Sequence, residues 1–160
     1  PPRSTLFPYT TLFRSDTMDH TVAPVLTSEP AVPVPHTLPP SPKAQSVLTP
    51  VPLIRLAYGR SGDKGDKANI GIIARQSEYL PYIWTALTPE VVASCFSRFL
   101  DGPVERFLLP GIHAINFVLH DVLGGGGMAS LRNDAQGKGY AQILLAQPID
   151  LPASLAEQIP

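Results

Sequence analysis

The chain holds one cysteine, Cys95, among its 160 residues, so no internal disulfide can form. A reducing compartment, the cytoplasm, is the expectation that follows. Neither sign of charge is in excess, with 12 Lys and Arg against 13 Asp and Glu. That balance argues against the basic footprint by which proteins hold nucleic acid or anionic membranes. No apolar run approaches the ~20 residues that span a bilayer. The N-terminus also lacks the continuous apolar segment of a secretory signal. Neither a nucleic acid nor a membrane is therefore expected as a partner.

What the chain does have is apolar content, 44%, and 19 prolines. The first is enough for a real core, and the length suits one domain. The prolines are unevenly spread. Residues 1–15, from Pro1 to Ser15, resemble the in-frame translation of a sequencing-library adapter, and we expect an assembly artefact there. The rival reading is a short apolar strand. Residues 16–52 include Pro24, Pro30, Pro33, Pro35, Pro39, Pro40, Pro42, Pro50 and Pro52. Closely spaced prolines remove amide donors and fix φ, which favours an extended conformation and reads as a disordered, semi-rigid linker. A ligand for a proline-binding module is the alternative. A linker should join something, so a larger upstream domain is expected to be missing from this fragment. Residues 53–152 should form the folded domain, of comfortable size, with 153–160 as a tail.

Within that domain, residues 53–58 and 69–75 are strand candidates. The stretch between them is Gly59-Arg60-Ser61-Gly62-Asp63-Lys64-Gly65-Asp66-Lys67-Ala68-Asn69-Ile70-Gly71. It is read as a loop too long for a tight hairpin. Ser77 should cap a first helix running through Leu87, with Pro81 in its first turn. Thr88-Pro89-Glu90 is a second helix start: a cap, proline at the first position and an acid in the first turn. Val91, Val92, Cys95, Phe96, Phe99 and Leu100 recur at helical spacing on its core face. Asp101-Gly102-Pro103 ends it. Residues 104–109 read as a strand stopped by Pro110-Gly111. The spacing of Ile112, Ile115, Leu119, Val122 and Leu123 suits a helix ending at Gly124, with a strand as its rival. A short strand over 128–132, a helix over 136–146 capped by Asp134, and a strand over 148–151 complete the domain. The fold class expected is α/β (α+β), a two-layer sandwich.

The string Leu56 to Ile72 resembles the C-terminal domain of the acyclic terpene utilisation (AtuA-like) proteins. So do Val104-Glu105-Arg106-Phe107, the run Ala114 to His120, Gly124 to Gly127, and Ser130-Leu131-Arg132, in the same order along the chain. The resemblance implies a ferredoxin-like small domain that sits behind a larger one, fused or as a separate chain. It also implies a place in the breakdown of acyclic terpenes such as citronellol and geraniol through acyl-CoA intermediates. It supplies no catalytic residue set, so whether the chain is an enzyme stays open. An accessory or interaction domain is one reading. The alternative is an enzyme fragment whose glycine-rich loops complete an active site with the missing domain. A homo-oligomer is also compatible.

Four glycines, two lysines and two aspartates crowd residues 59–71. Such a stretch can cradle a phosphate or carboxylate on glycine amides, with Lys64 or Lys67 adding charge. It is not a Walker loop, because the spacing is absent and no helix follows. The competing reading is a structured turn whose Asp63 and Asp66 bond nearby amides while the lysines stay solvated. The candidate anion site is Ser61, Gly62, Asp63, Lys64, Gly65, Lys67 and Asn69, joined by Gly125, Gly126 and Arg132 if the second glycine cluster lies beside the first. No cofactor is required by the sequence; a CoA thioester is the ligand such a site would take. His113 and His120 share a face only if their segment is helical, and two histidines do not make a metal set. No metal is expected. Cys95, Trp84, Phe96 and Phe99 read as core, and Ser61 has no base near it in sequence.

Overall fold

A computed structural model of the chain describes residues 37–42 and 47–159. The adapter-like string and most of the expected linker lie outside these residues. The last part of that linker does not behave as one. Leu48–Pro52 forms strand β1, paired antiparallel with β6, Pro148–Pro152. A proline withholds a ladder donor, and a two-stranded ribbon has an outer edge where none is required. Pro50 and Pro52 are exposed while Thr49 and Val51 alternate inward. The ordered domain thus begins before residue 53. Each of these strands runs into a single helical turn, α1 at Leu53–Leu56 and α5 at Ala153–Ala156. The expected strand over 53–58 is therefore a helical turn first: Leu53 and Leu56 point into the core, and the strand starts at Ala57.

The main sheet has four antiparallel strands in the order β2-β3-β5-β4. These are β2 Ala57–Lys64, β3 Lys67–Ala74, β4 Val104–Leu109 and β5 Ala114–Leu119. The 59–71 stretch is a tight hairpin, not a long loop. Lys64 pairs with Lys67 and only Gly65 and Asp66 make the turn. Gly65 carries a positive φ of 69° and Asp66 does not, the pattern of a type II′ turn with glycine first. The glycines hid this strand because they break the apolar alternation by which strands are read.

Ser77 does not cap a helix. It opens a 3-10 turn, Ser77–Tyr79, that leads into α2, Leu80–Ala86. The second helix start behaves as expected: in α3, Pro89–Cys95, the Thr88 hydroxyl accepts from the Val91 amide at 3.3 Å. The Thr88 hydroxyl and a backbone amide hold the Glu90 carboxyl below its ordinary value. Val92 and Phe96 are fully buried, Val91 is exposed, and Cys95 is half-buried at the margin of the core. Burial pushes the Cys95 thiol up, away from a reactive thiolate.

The 112–123 stretch is a strand rather than a helix. Ile115, Phe117 and Leu119 alternate inward along β5, which is paired on both sides. Its apolar residues satisfy both periods, and pairing with two neighbours decides between them. His113 and His120 flank opposite ends of this strand and share no site. Residues 128–132 form turns instead of a strand, with Met128 and Leu131 fully exposed. Helix α4 spans Tyr140–Leu145, and Asp134 caps the turn before it, accepting from the Lys138 and Gly139 amides at 2.8 Å each.

Helices cover one face of the main sheet. α4 packs against β2 and β3, and α3 against β4. Ile70, Ile72, Ile115, Phe117 and Leu119 meet Val92, Phe96, Ala141 and Leu144 in one continuous core, which also takes Ile149 and Leu151 from β6. The other face carries no helix among the described residues. By register, Tyr58, Ile73, Ala114 and Leu109 form one row across it, and Arg60, Gly71, Asn116 and Phe107 the next. Tyr58, Ile73, Phe107 and Leu109 are each 42–59% exposed.

Candidate functional site

The residues singled out in the sequence divide into two groups in space. Gly65, Gly125 and Gly126 meet at the tip of the β2–β3 hairpin. The Asp66 carboxylate accepts from the Gly125 amide at 2.8 Å and the Leu123 amide at 3.2 Å. The Asp66 carbonyl accepts from the Val122 and Leu123 amides. A Cβ added to Gly126 would stand 2.8 Å from the Gly65 carbonyl oxygen. The two glycine clusters are therefore adjacent, and an internal carboxylate occupies the Gly125 amide. Arg132 lies behind Gly124 and donates to the Val122 and Phe99 carbonyls, with its guanidinium 5.6 Å from the Phe99 ring centroid. Its donors face backbone within the molecule.

The second group lines a groove of about 410 Å³ beside the hairpin: Ser61, Gly62, Asp63, Lys64 and Asn69, with Arg60, Gly71 and Lys138. Arg60, Gly62 and Lys64 alternate along β2 and so share one face. Asn69 and Gly71 lie opposite Gly62 and Arg60 on β3. The Lys138 ammonium reaches over the edge strand. It lies 3.1 Å from where a Gly62 Cβ would stand and 3.4 Å from the Asp63 carboxylate. The Asn69 side-chain amide donates to Asn116 at 3.4 Å. Arg60 and Lys64 have no polar partner among the described residues, and Lys67 is exposed at the hairpin end. Arg60 belonged to the string that drew attention in the sequence but was passed over there. Lys138, 75 residues from Asp63, gave no sequence signal at all.

Ser61 braces the groove. It is buried, donates to the Lys138 carbonyl at 3.1 Å and accepts from the Ala141 amide at 2.9 Å. This hydroxyl ties β2 to the start of α4 and sets where Lys138 leaves the backbone; no general base touches it. Ser61→Ala orphans a buried amide, and stability should fall by about 1–3 kcal/mol. A urea titration should show a lower midpoint at an unchanged slope. An unmoved midpoint would mean that Ser61 contributes nothing to this junction.

A second groove, of about 430 Å³, is lined by Phe99, Arg132, Asp134, Tyr140 and Ile143 among others. Three of its polar side chains are engaged. Arg132 and Asp134 hold backbone, and the Tyr140 hydroxyl donates to the Val122 carbonyl at 3.1 Å. Burial pushes the Tyr140 phenol up, against the lowering effect of Arg132. Among the described residues no three His, Cys, Asp or Glu side chains gather as a metal set. Among them too, no helix is long and apolar enough to cross a membrane.

Comparison with known proteins finds no match among curated proteins and none among solved structures. Comparison with protein families does. Residues 51–150 match the AtuA ferredoxin-like domain, a span that takes in the hairpin, the sheet and both grooves. The α+β architecture, with two sheets packed against helices, is that of a ferredoxin-like domain. Since the match covers well over half of the sequence, the chain belongs to the AtuA ferredoxin-like domain family.

Proposed function

We propose that this domain is an accessory module that docks onto a larger AtuA-type domain, fused or separate, and supports acyl-CoA breakdown of acyclic terpenes. One observation carries the docking reading: the face of the main sheet that no helix covers among the described residues. An antiparallel sheet with one solvated face ordinarily turns polar side chains outward. Here the outward positions include Tyr58 on β2, Ile73 on β3, and Phe107 and Leu109 on β4, with Ile112 exposed just beyond. They cluster toward one end of the sheet by register. A contiguous exposed apolar patch is the mark of an interaction surface. Family membership and the motif resemblance support the terpene role.

The test is titration calorimetry of the full chain against a purified larger AtuA-type domain. A saturable complex is expected, with Phe107→Asp weakening it about tenfold or more. Phe107→Asp should leave the domain folded, with stability lower by about 1 kcal/mol, because the side chain is nearly half exposed but lies in a strand. Growth on citronellol should fail in cells lacking this chain and return with the parent but not with Phe107→Asp. Absence of a complex, or equal affinity for the variant, would sink the docking reading. Normal growth without the chain would sink the terpene role.

A further inference from the structure

We infer that the groove beside the β2–β3 hairpin binds the phosphate group of a small phosphorylated molecule, through Arg60, Lys64 and Lys138 over a floor of Gly62 and Gly71. Three cations line this groove against one carboxylate, Asp63. Arg60 and Lys64 stand on one face of β2, with Cα atoms ~13 Å apart by strand geometry. The Lys138 ammonium sits between them, over Gly62. Arg60 supplies a planar donor fork suited to phosphate and the lysines supply point charges. Asn69, opposite Gly62, adds a neutral amide.

The floor is the second, independent observation. A Cβ at Gly62 would stand 3.1 Å from the Lys138 ammonium, a contact that this exposed, flexible side chain relieves by moving slightly. Gly71 is different. It lies in the central strand β3, where glycine weakens the sheet by roughly 0.5–1 kcal/mol relative to alanine. Its φ is not positive, and an added Cβ would meet nothing nearer than the Arg60 carbonyl at 3.9 Å. Neither backbone conformation nor packing within the domain calls for glycine. A bare strand position beside unpartnered cations is what close approach of an outside group requires. Arg60 and Lys64 also hold no carboxylate of the described chain, unlike Lys138 with Asp63 at 3.4 Å.

This inference does not need the docked partner, and its failure is separable from that of the docking reading because Phe107 lies outside the groove. The experiment is an amide-resolved NMR titration of the full chain with inorganic pyrophosphate at low ionic strength, and with succinate in parallel. Pyrophosphate should give saturable shifts at Gly62, Asn69 and Gly71. Gly71→Val should fold at least as stably as the parent, since valine suits a strand, yet bind about tenfold more weakly because it fills the floor. Lys64→Gln should weaken binding by a similar factor. Asp63→Asn should tighten it, by removing the repelling charge and freeing Lys138. Saturable binding that Gly71→Val and Lys64→Gln leave intact would overturn the site. So would shifts scattered elsewhere, no saturation, or succinate binding as tightly as pyrophosphate.

Discussion

Gly126→Ala should destabilise the domain by about 3 kcal/mol or more, the largest loss expected from any single-methyl change here. Two effects add. Gly126 has a φ of 86°, where a side chain costs ~1–3 kcal/mol in backbone strain. The new Cβ would also stand 2.8 Å from the Gly65 carbonyl oxygen and 3.0 Å from its carbon. Backbone cannot rotate aside as a side chain can, so relief requires moving the loop off the hairpin tip. That motion stretches the Asp66 bonds to the Leu123 and Gly125 amides, adding ~1–3 kcal/mol. The melting temperature should drop by roughly 10 °C. Gly65→Ala is the control. Its φ is also positive, at 69°, but nothing lies within 4 Å of the added Cβ, so it should cost only the backbone strain, about 1–2 kcal/mol. Asp66→Ala combined with Gly126→Ala should be less harmful than the sum, since both open one contact. Equal effects of the two alanine variants would mean that the hairpin tip is not seated on the 122–126 loop.

Arg106→Ala should cost about 3 kcal/mol, and Arg106→Lys should recover less than half of it. The Arg106 guanidinium donates to the Trp84 carbonyl at 2.6 Å and the Leu87 carbonyl at 2.8 Å. These are late carbonyls of α2 and its C-cap, which have few intrahelical donors. The same group lies 3.6 Å from the centroid of the Trp84 ring. Hydrogen bonds from a charged donor contribute ~1.5–3 kcal/mol each and the ring contact ~0.5–1 more, less a discount for partial exposure. Burial pushes the guanidinium below its ordinary value, with Glu90 opposing, but arginine stays charged across the accessible range. Lysine cannot reach two carbonyls and stack at once. Thermal melts of the three proteins decide it. Full recovery by lysine would mean that charge alone matters and the planar fork does not.

Both predictions fall on residues that carry the family resemblance, and both concern bracing. Asp66, Arg106 and Arg132 are charged side chains whose hydrogen bonds go to the backbone of another segment. In the sequence such residues look like a site. In the fold, these three fasten a small domain whose long turns need carbonyl and amide partners. Arg60 and Lys64, with Lys138 beside them, instead line an open groove.

Several parts were readable from local chemistry alone. Thr88-Pro89-Glu90 fixes a helix start wherever it is placed, because the cap, the missing amide and the acid act within one turn. The same is true of the strands at 104–109 and 148–152, whose boundaries are marked by proline, whereas Asp134 holds the turn before the last helix, which starts at Tyr140 and not at 136. The α+β class followed from these elements and from the alternation of apolar runs.

Other features were decided only by contacts distant in sequence. Residues 114–119 fit helix and strand periods alike, and became the strand β5 because β3 and β4 supply ladders on both sides. Leu48–Pro52 looked like a linker until β6, a hundred residues away, gave it a partner. Pairing energy comes from the partner strand, so no window of local sequence contains it. The groove is the same case: Lys138 reaches Gly62 and Asp63 because Ser61 fastens β2 to the start of α4. The sequence by itself determined the helix start at Thr88-Pro89-Glu90 and the proline-bounded strands, because those signals act within a few residues. The tertiary structure decided which charges are engaged within the molecule and which remain free, because that depends on what the fold brings within hydrogen-bond reach.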